Sequence, residues 1–259
     1  MRSAVIVVAA LAGACGRVGF DAGDAVDAAI DAAPCIPPAG DNDDDGDGVT
    51  DTCDTCPHVP GPQSDGDGDR VGDICDPRTT PTETLAKFEP FLAPLPWSTG
   101  GVPFTVAPSA LVSTTVGNSA WAGYSDDPTN TEAVMRGRLD AVGTGAKQLS
   151  IQFALELGDG AEYCEVYSDP VTSFKITRGI PPDTFVTLAG MTIPPLATGP
   201  FTMRYGHGPD GFHCSLAIGG TTYEISSPET FATPRDFIVL QFIDLDVTLE
   251  SFAQVDTTL

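Results

Sequence analysis

From residue 79 onward the chain is written as short runs in which apolar and polar residues alternate, with Gly, Pro and Asp between them. Twelve such runs can be marked: 104–107, 110–115, 119–124, 133–139, 148–156, 163–168, 173–177, 184–189, 201–205, 212–218, 222–225 and 237–248. A period of two places successive side chains on opposite faces of a strand, and no run keeps the 3.6-residue period of a helix. Gly219-Gly220, set between Ala-Ile and Thr-Thr-Tyr, suits a two-residue hairpin turn. The 28 Gly and 23 Pro of the 259-residue chain are in keeping with a turn-rich architecture. The expectation for residues 79–259 is a mainly β domain, an antiparallel β-sandwich of jelly-roll type.

The preceding stretch is different in kind. Between residues 17 and 78 there are sixteen Asp, no Glu and three Arg. A twelve-residue calcium loop needs oxygen ligands at positions 1, 3, 5, 9 and 12, a backbone carbonyl at 7 and Gly at 6. Counting from Asp43 satisfies every position: Asp43, Asp45, Asp47, Gly48, the Val49 carbonyl, Asp51 and Asp54. Counting from Asp41 fails, because Val49 then falls at 9 and Thr52 at 12. A second copy starts at Asp65 and uses Asp65, Asp67, Asp69, the Val71 carbonyl, Asp73 and Asp76, with Arg70 in place of Gly. That Arg sets a cation beside the site, so a weaker second site or a different turn is expected. Cys53 and Cys75 occupy position 11 of the two copies, which makes this a repeat with a 22-residue period. Five carboxylates around one ion repel one another without it, so bound Ca2+ should supply much of this module's folding free energy. Mg2+ seldom takes an all-protein carboxylate cage.

The phrases DGDGVTDTCDTCP and QSDGDGDRVGDICDP resemble a pair of thrombospondin type 3 repeats across residues 41–78. The resemblance implies a calcium-wrapped acidic module and a Cys56–Cys75 disulfide, which leaves Cys35 to pair with Cys53. Cys53 and Cys56 also form a CxxC, but a zinc or redox reading has no second CxxC, and His58 stands alone.

The N-terminus, MRSAVIVVAALAGACG, has one Arg, an apolar run and small residues before Cys15. It reads as a secretory signal peptide, too short to span a bilayer as a retained helix. Its end resembles the bacterial lipoprotein lipobox, with Ala12 where Leu is usual. The resemblance implies a signal peptide over residues 1–15, acylation of Cys15 and anchoring at the outer membrane or cell surface of a bacterium, with no transmembrane helix. Removing Cys15 from the seven cysteines leaves an even six. Residues 16–40, with Asp at 21, 24, 27 and 31 among Ala, read as a self-repelling acidic tether.

The chain carries 12 Lys+Arg against 36 Asp+Glu, a net charge of −24. That excludes a nucleic-acid binder, which needs clustered cations, and electrostatic attraction to anionic lipid. Charge density is about threefold higher over residues 17–78 than over 79–259.

In the C-terminal part, GPFTMRYGHGPDGFHCSLAIGGTTYEI and FIVLQFIDLDVTLESFAQVD resemble the closing half of concanavalin-A-like, laminin-G-like jelly rolls. Cys164 and Cys214 sit mid-strand and would form an inter-strand disulfide in an exported domain. Arg204, His207, Asp210 and His213 lie around a Gly-rich turn and are the candidate ligand-binding set, with a solvated loop as the alternative. Trp97, Trp121 and Tyr124 are either a sugar-stacking platform or buried aromatics. Glu156, Asp159 and Glu162 are the nearest approach to a paired-carboxylate strand, but their spacing and flanking Gly suggest a hairpin turn, so no catalytic residue is assigned. The sequence reading is a calcium-binding surface lipoprotein that displays a sandwich for binding or adhesion, with extracellular glycan or a surface protein as partner and no enzymatic activity. The alternatives are a secreted carbohydrate-active enzyme of jelly-roll type and a structural envelope component.

Overall fold

The computed structural model describes residues 35–37, 43, 45–50, 52–56, 60–68, 72–74, 83–89, 91, 97–107, 110–125, 131–155, 160–180, 184–231 and 235–257. The chain divides into two units, Met1–Ile36 and Pro37–Leu259. Of the first, only residues 35 and 36 are described, so the signal peptide, Cys15 and most of the tether lie outside the described residues.

The second unit holds fifteen strands among its described residues, and all their pairings are antiparallel. They are β1 (Glu83–Glu89), β2 (Ser98–Gly101), β3 (Thr105–Ala107), β4 (Ala110–Thr114), β5 (Ser119–Ser125), β6 (Thr131–Val142), β7 (Lys147–Ala154), β8 (Ala161–Ser168), β9 (Thr172–Ile180), β10 (Thr184–Thr192), β11 (Gly199–Gly208), β12 (Gly211–Ile218), β13 (Thr221–Ser227), β14 (Phe237–Ile243) and β15 (Leu245–Thr257). One sheet runs β13-β12-β11-β6-β15-β4-β3, with β1 also paired to β15, and the other runs β10-β9-β8-β7-β14-β5-β2. The two form the expected β-sandwich of jelly-roll type.

Three departures from the sequence expectation matter. Strands β1 and β2 come from stretches that carry little alternation. The run 237–248 is two strands in different sheets, broken at Asp244. Asp244 takes a left-handed backbone (φ 53°) that Asp tolerates better than most residues. Its buried carboxylate accepts N–H bonds from Gly117 (2.6 Å) and Gly145 (2.7 Å), which add to the backbone bonds Asp244 makes with Asn118 and Gly143 at the corner. A Cβ on Gly143 would collide with that carboxylate, which is why Gly stands there.

The core follows from alternation. Ile238, Leu240 and Phe242 point inward from β14, Leu149, Ile151 and Phe153 from β7, and Met203 and Tyr205 from β11. Phe153 stacks on Tyr205 across the sheets at 4.4 Å between centroids. Trp97 and Tyr124 are buried against Phe252, so of the three aromatics singled out in the sequence these two are core residues. Cys164 on β8 and Cys214 on β12 form a disulfide with Cα atoms 5.8 Å apart, which ties one sheet to the other. Closing a loop of 50 residues contributes about 4 kcal/mol in the chain-entropy account.

Candidate functional site

The Asp-rich segment is built by carboxylates that bond their own backbone. Asp43 accepts N–H bonds from Gly46 (2.9 Å) and Gly48 (3.1 Å), Asp45 from Asp47 (3.1 Å), and Asp47 from Val49 (2.8 Å). Gly46 and Gly48 have φ of 76° and 94°, a conformation that Gly adopts without steric cost. One oxygen from each of Asp43, Asp45 and Asp47 lies within 4.8 Å of the others. Asp45 Oδ2 and Asp54 Oδ2 are buried and have no hydrogen-bond donor. Burial lifts the Asp45 carboxyl above its ordinary range, and the Asp47, Asp54 and Asp43 charges add to this. Anionic oxygens without donors call for a compensating cation, and an all-oxygen set of this kind fits a hard divalent ion.

In the second copy, Asp65 accepts the Gly68 N–H (2.7 Å) and Asp73 the Gly66 N–H (2.8 Å). Asp51, Asp69, Arg70, Val71, Cys75 and Asp76 lie outside the described residues. The copies meet where the Gly72 N–H reaches the Thr55 carbonyl (3.0 Å), and a side chain at Gly72 would strike Thr55 and Cys56. Cys35, Cys53 and Cys56 are disulfide-bonded.

The structure splits the predicted Arg204, His207, Asp210 and His213 set. Arg204 and His213 face outward on β11 and β12 and line one open pocket of about 410 Å³ with Glu132, Ser215, Glu224 and Ser226. Arg204 bonds Glu132 at 3.0 Å. Asp210 sits in the exposed β11–β12 turn. His207 points the other way, half-buried, its ring 4.0 Å from that of Phe231 and 4.9 Å from that of Phe212. Burial holds its imidazole below the ordinary value, opposed by the Glu162 charge.

Glu162 is a strand residue on β8, fully buried, and not part of a turn. Arg235 grips it with two bonds of 2.6 and 2.8 Å and Arg178 with one of 2.9 Å, so it anchors the connection between β13 and β14. Residues 156–159 lie outside the described residues.

The most developed polar network is one the sequence reading did not isolate. On β7, Leu149, Ile151 and Phe153 fill the core, so Gln148, Ser150 and Gln152 lie on the opposite face of the sheet, where they are also buried. Cross-strand register then aligns one row over the seven-stranded sheet: Gly100, Trp121, Gln241, Ser150, Glu165, Lys175 and Gly190 are successive partners on β2, β5, β14, β7, β8, β9 and β10. The Trp121 indole lies over Gly100, where a Cβ would displace it. The amides are locked in place. Gln152 donates to Gln241 (2.6 Å) and Ser150 (3.1 Å), Gln148 donates to Glu165 (2.9 Å), and Lys175 pairs with Glu165 at 3.4 Å. Lys175 also stands 4.6 Å over the Tyr167 ring. Tyr163 flanks the row opposite Gln152, and burial, then the Glu165 and Glu162 charges, raise its phenol above the ordinary value. Gln148, Ser150, Gln152 and Glu165 are buried within this network, and the half-buried Trp121, Gln241, Tyr163, Tyr167 and Lys175 around them are its accessible groups.

No protein-family model matches the sequence, and no curated protein matches it. Solved structures do. The CBM2 module of the Lactobacillus casei BL23 phage J-1 evolved Dit is 12% identical, with a TM-score of 0.50 over 67% of this chain and 96% of that one. The GlcNAcα1-4Gal-releasing endo-β-galactosidase of Clostridium perfringens is 9% identical, with a TM-score of 0.50 over 71% of this chain and 65% of that one. The winged bean acidic lectin complexed with methyl-α-D-galactose is 10% identical, with a TM-score of 0.45 over 61% and 91%. At these identities the likeness is one of fold.

Proposed function

We propose that this chain is a calcium-stabilised bacterial surface lipoprotein whose sandwich binds glycan on the outer face of the seven-stranded sheet and does not hydrolyse it. The observation that supports the binding reading is the half-buried Trp121 indole beside the Gln241 amide, with Tyr163, Tyr167 and Lys175 further along the same face, held by the buried network of Gln148, Ser150, Gln152 and Glu165. Jelly-roll sandwiches similar in fold include a CBM2 module and an endo-β-galactosidase, which agrees with a glycan ligand. Hydrolysis by paired carboxylates needs two acids about 5–9.5 Å apart across the scissile bond. Among the described strand residues of this face Glu165 is the sole carboxylate, and it is tied to Lys175 and Gln148.

The Asp-rich segment is read as a pair of thrombospondin type 3 repeats. Asp43, Asp45, Asp47 and Asp54 hold Ca2+ in the first, and Cys35–Cys53 and Cys56–Cys75 are the disulfides. Two observations support this: the converging Asp43, Asp45 and Asp47 oxygens, and the donor-free Asp45 and Asp54 oxygens. Bound calcium would supply charge compensation there, and the Asp–backbone bonds orient the carboxylates for it. Cys15 is read as the acylated residue that anchors the mature chain.

A glycan array followed by calorimetry with the parent and Trp121→Ala tests the binding reading. Binding weakened about tenfold by the substitution is expected, in line with the worth of one aromatic contact. No binding to any glycan would overturn it, and release of reducing sugar would replace it with the enzyme alternative. Membrane fractionation of Cys15→Ser tests the anchor: unchanged retention would refute it.

A further inference from the structure

An Asp-Gly pair is a place where a protein backbone can rearrange itself. The glycine nitrogen attacks the side-chain carboxyl carbon of the preceding Asp. A C–N bond forms, and the nitrogen's proton leaves with the carboxyl hydroxyl as water. Water then reopens the cyclic imide at either carbonyl. One opening restores Asp, and the other sends the main chain through the β-carbon as isoaspartate, with no net change of atoms and no oxidant. Glycine favours the attack because no side chain shields its nitrogen. This chain has six Asp-Gly pairs, and four of them fall in the Asp-rich repeats: Asp45-Gly46, Asp47-Gly48, Asp65-Gly66 and Asp67-Gly68.

All four glycines are exposed, and a Cβ on Gly46, Gly48 or Gly68 would meet nothing within 4 Å, so packing does not shield them. Hydrogen bonds do. The Gly46 N–H donates to Asp43 Oδ1 (2.9 Å), the Gly48 N–H to Asp43 Oδ2 (3.1 Å), the Gly66 N–H to Asp73 Oδ1 (2.8 Å) and the Gly68 N–H to Asp65 Oδ1 (2.7 Å). In every case the acceptor belongs to a different Asp from the one that the nitrogen would attack. In the first loop the carboxyl groups open to attack are engaged as well, Asp45 with the Asp47 N–H and Asp47 with the Val49 N–H. An N–H held by a carboxylate is turned from its own Asp, and it cannot shed its proton without leaving two anions face to face.

We propose that Asp43, Asp65 and Asp73 protect the Asp-Gly bonds of the repeats, and that Asp45, Asp47, Asp65 and Asp67 are converted to isoaspartate when the loops open. The conversion damages the loop that undergoes it. An isoaspartate adds a backbone carbon between residues whose spacing sets the geometry, so the Asp43, Asp45 and Asp47 oxygens no longer converge. Each opening of the repeats therefore carries a chemical cost that accumulates with time. The proposal holds whichever ion the repeats take and whatever the sandwich binds.

Peptide mapping that locates isoaspartate residue by residue, on the full chain incubated at neutral pH, tests it. The native chain should form isoaspartate at the four positions at least about tenfold more slowly than the chain unfolded in urea, in line with the worth of one charge-assisted hydrogen bond. Asp73→Ala frees the Gly66 N–H and should raise the rate at Asp65 by a similar factor while Asp67 keeps its native rate. Asp73→Asn retains an oxygen acceptor and should leave Asp65 near its native rate. Asp43→Ala should raise Asp45 and Asp47 together and leave the second copy unchanged. Equal rates in the native and unfolded chains would overturn the proposal. So would Asp65 and Asp67 rising together in Asp73→Ala, or Asp73→Asn matching Asp73→Ala, because either result assigns the protection to the fold or charge of the whole copy and not to the Gly66 bond.

Discussion

In the first Asp loop the described carboxylates accept N–H bonds from two to five residues further along the chain, as Asp43 does from Gly46 and Gly48, and Asp47 also accepts from Gly61 and Gln63. In the sandwich, the Leu245 N–H reaches a Thr115 hydroxyl 130 residues away, and Arg235 closes on Glu162 across 73. Among the described residues the Asp-rich segment buries Cys56 as its one apolar side chain, whereas the sandwich buries a continuous cluster of aromatic and aliphatic side chains. The loop's geometry is set mostly by near neighbours in the chain and by charge, so a cation should govern it. The sandwich is non-local and hydrophobic, so a cation should leave it nearly untouched.

The hardest test of that contrast removes a fully buried charge of the sandwich. Glu162→Ala removes the buried carboxylate that Arg235 and Arg178 share and should cost about 3–5 kcal/mol in urea unfolding. A loss below 1 kcal/mol would mean that the strap from β13 to β14 is held by packing alone. Replacing both Cys164 and Cys214 with Ala should cost about 4 kcal/mol and leave calcium binding intact. Asp45→Ala should abolish the heat of calcium binding by the first loop, while the sandwich's thermal transition stays within about 0.5 kcal/mol of the parent. A large shift in that transition would break the separation of the two regions.

Smaller effects sharpen the picture. Burial lowers the His207 pKa, so as pH falls the unfolded chain takes up its proton near the ordinary value of 6.5 before the folded chain does. The corresponding stability is present above that value and is lost as pH drops through the folded one. Melting temperature should therefore fall between pH 7 and pH 5, and His207→Phe should reduce the fall. Arg204→Ala removes a partly exposed ion pair with Glu132 and should change stability by less than about 1 kcal/mol.

The two regions also differ in how far they could be read in advance. Asp43, Asp45 and Asp47 converge because their spacing within one loop is itself the geometry, and the Gly at 46 and 48 mark its turns. The alternating runs located most strands, and Cys164 and Cys214 meet. The break at Asp244 was hidden because Ile243-Asp244-Leu245-Asp246 keeps a period of two straight through the corner. His207 was grouped with His213, yet the pleat sends them to opposite faces. The polar row was missed for a deeper reason. Gln148, Ser150 and Gln152 look like the solvated phase of an ordinary strand until Glu165 and Gln241 are set beside Ser150.

What the sequence alone determined is whatever depends on neighbours along the chain: the Asp-loop register, the strand-forming alternation, and the excess of negative charge in residues 17–78. Tertiary structure decided which strands became neighbours and in what register. A shift of one residue on β7 would have sent Gln148, Ser150 and Gln152 into the core and Leu149 and Ile151 to the surface. The hydrophobic cost of that exchange aligns Trp121, Gln241, Ser150, Glu165 and Lys175 in one row, although no two of these residues are closer than ten positions in the chain.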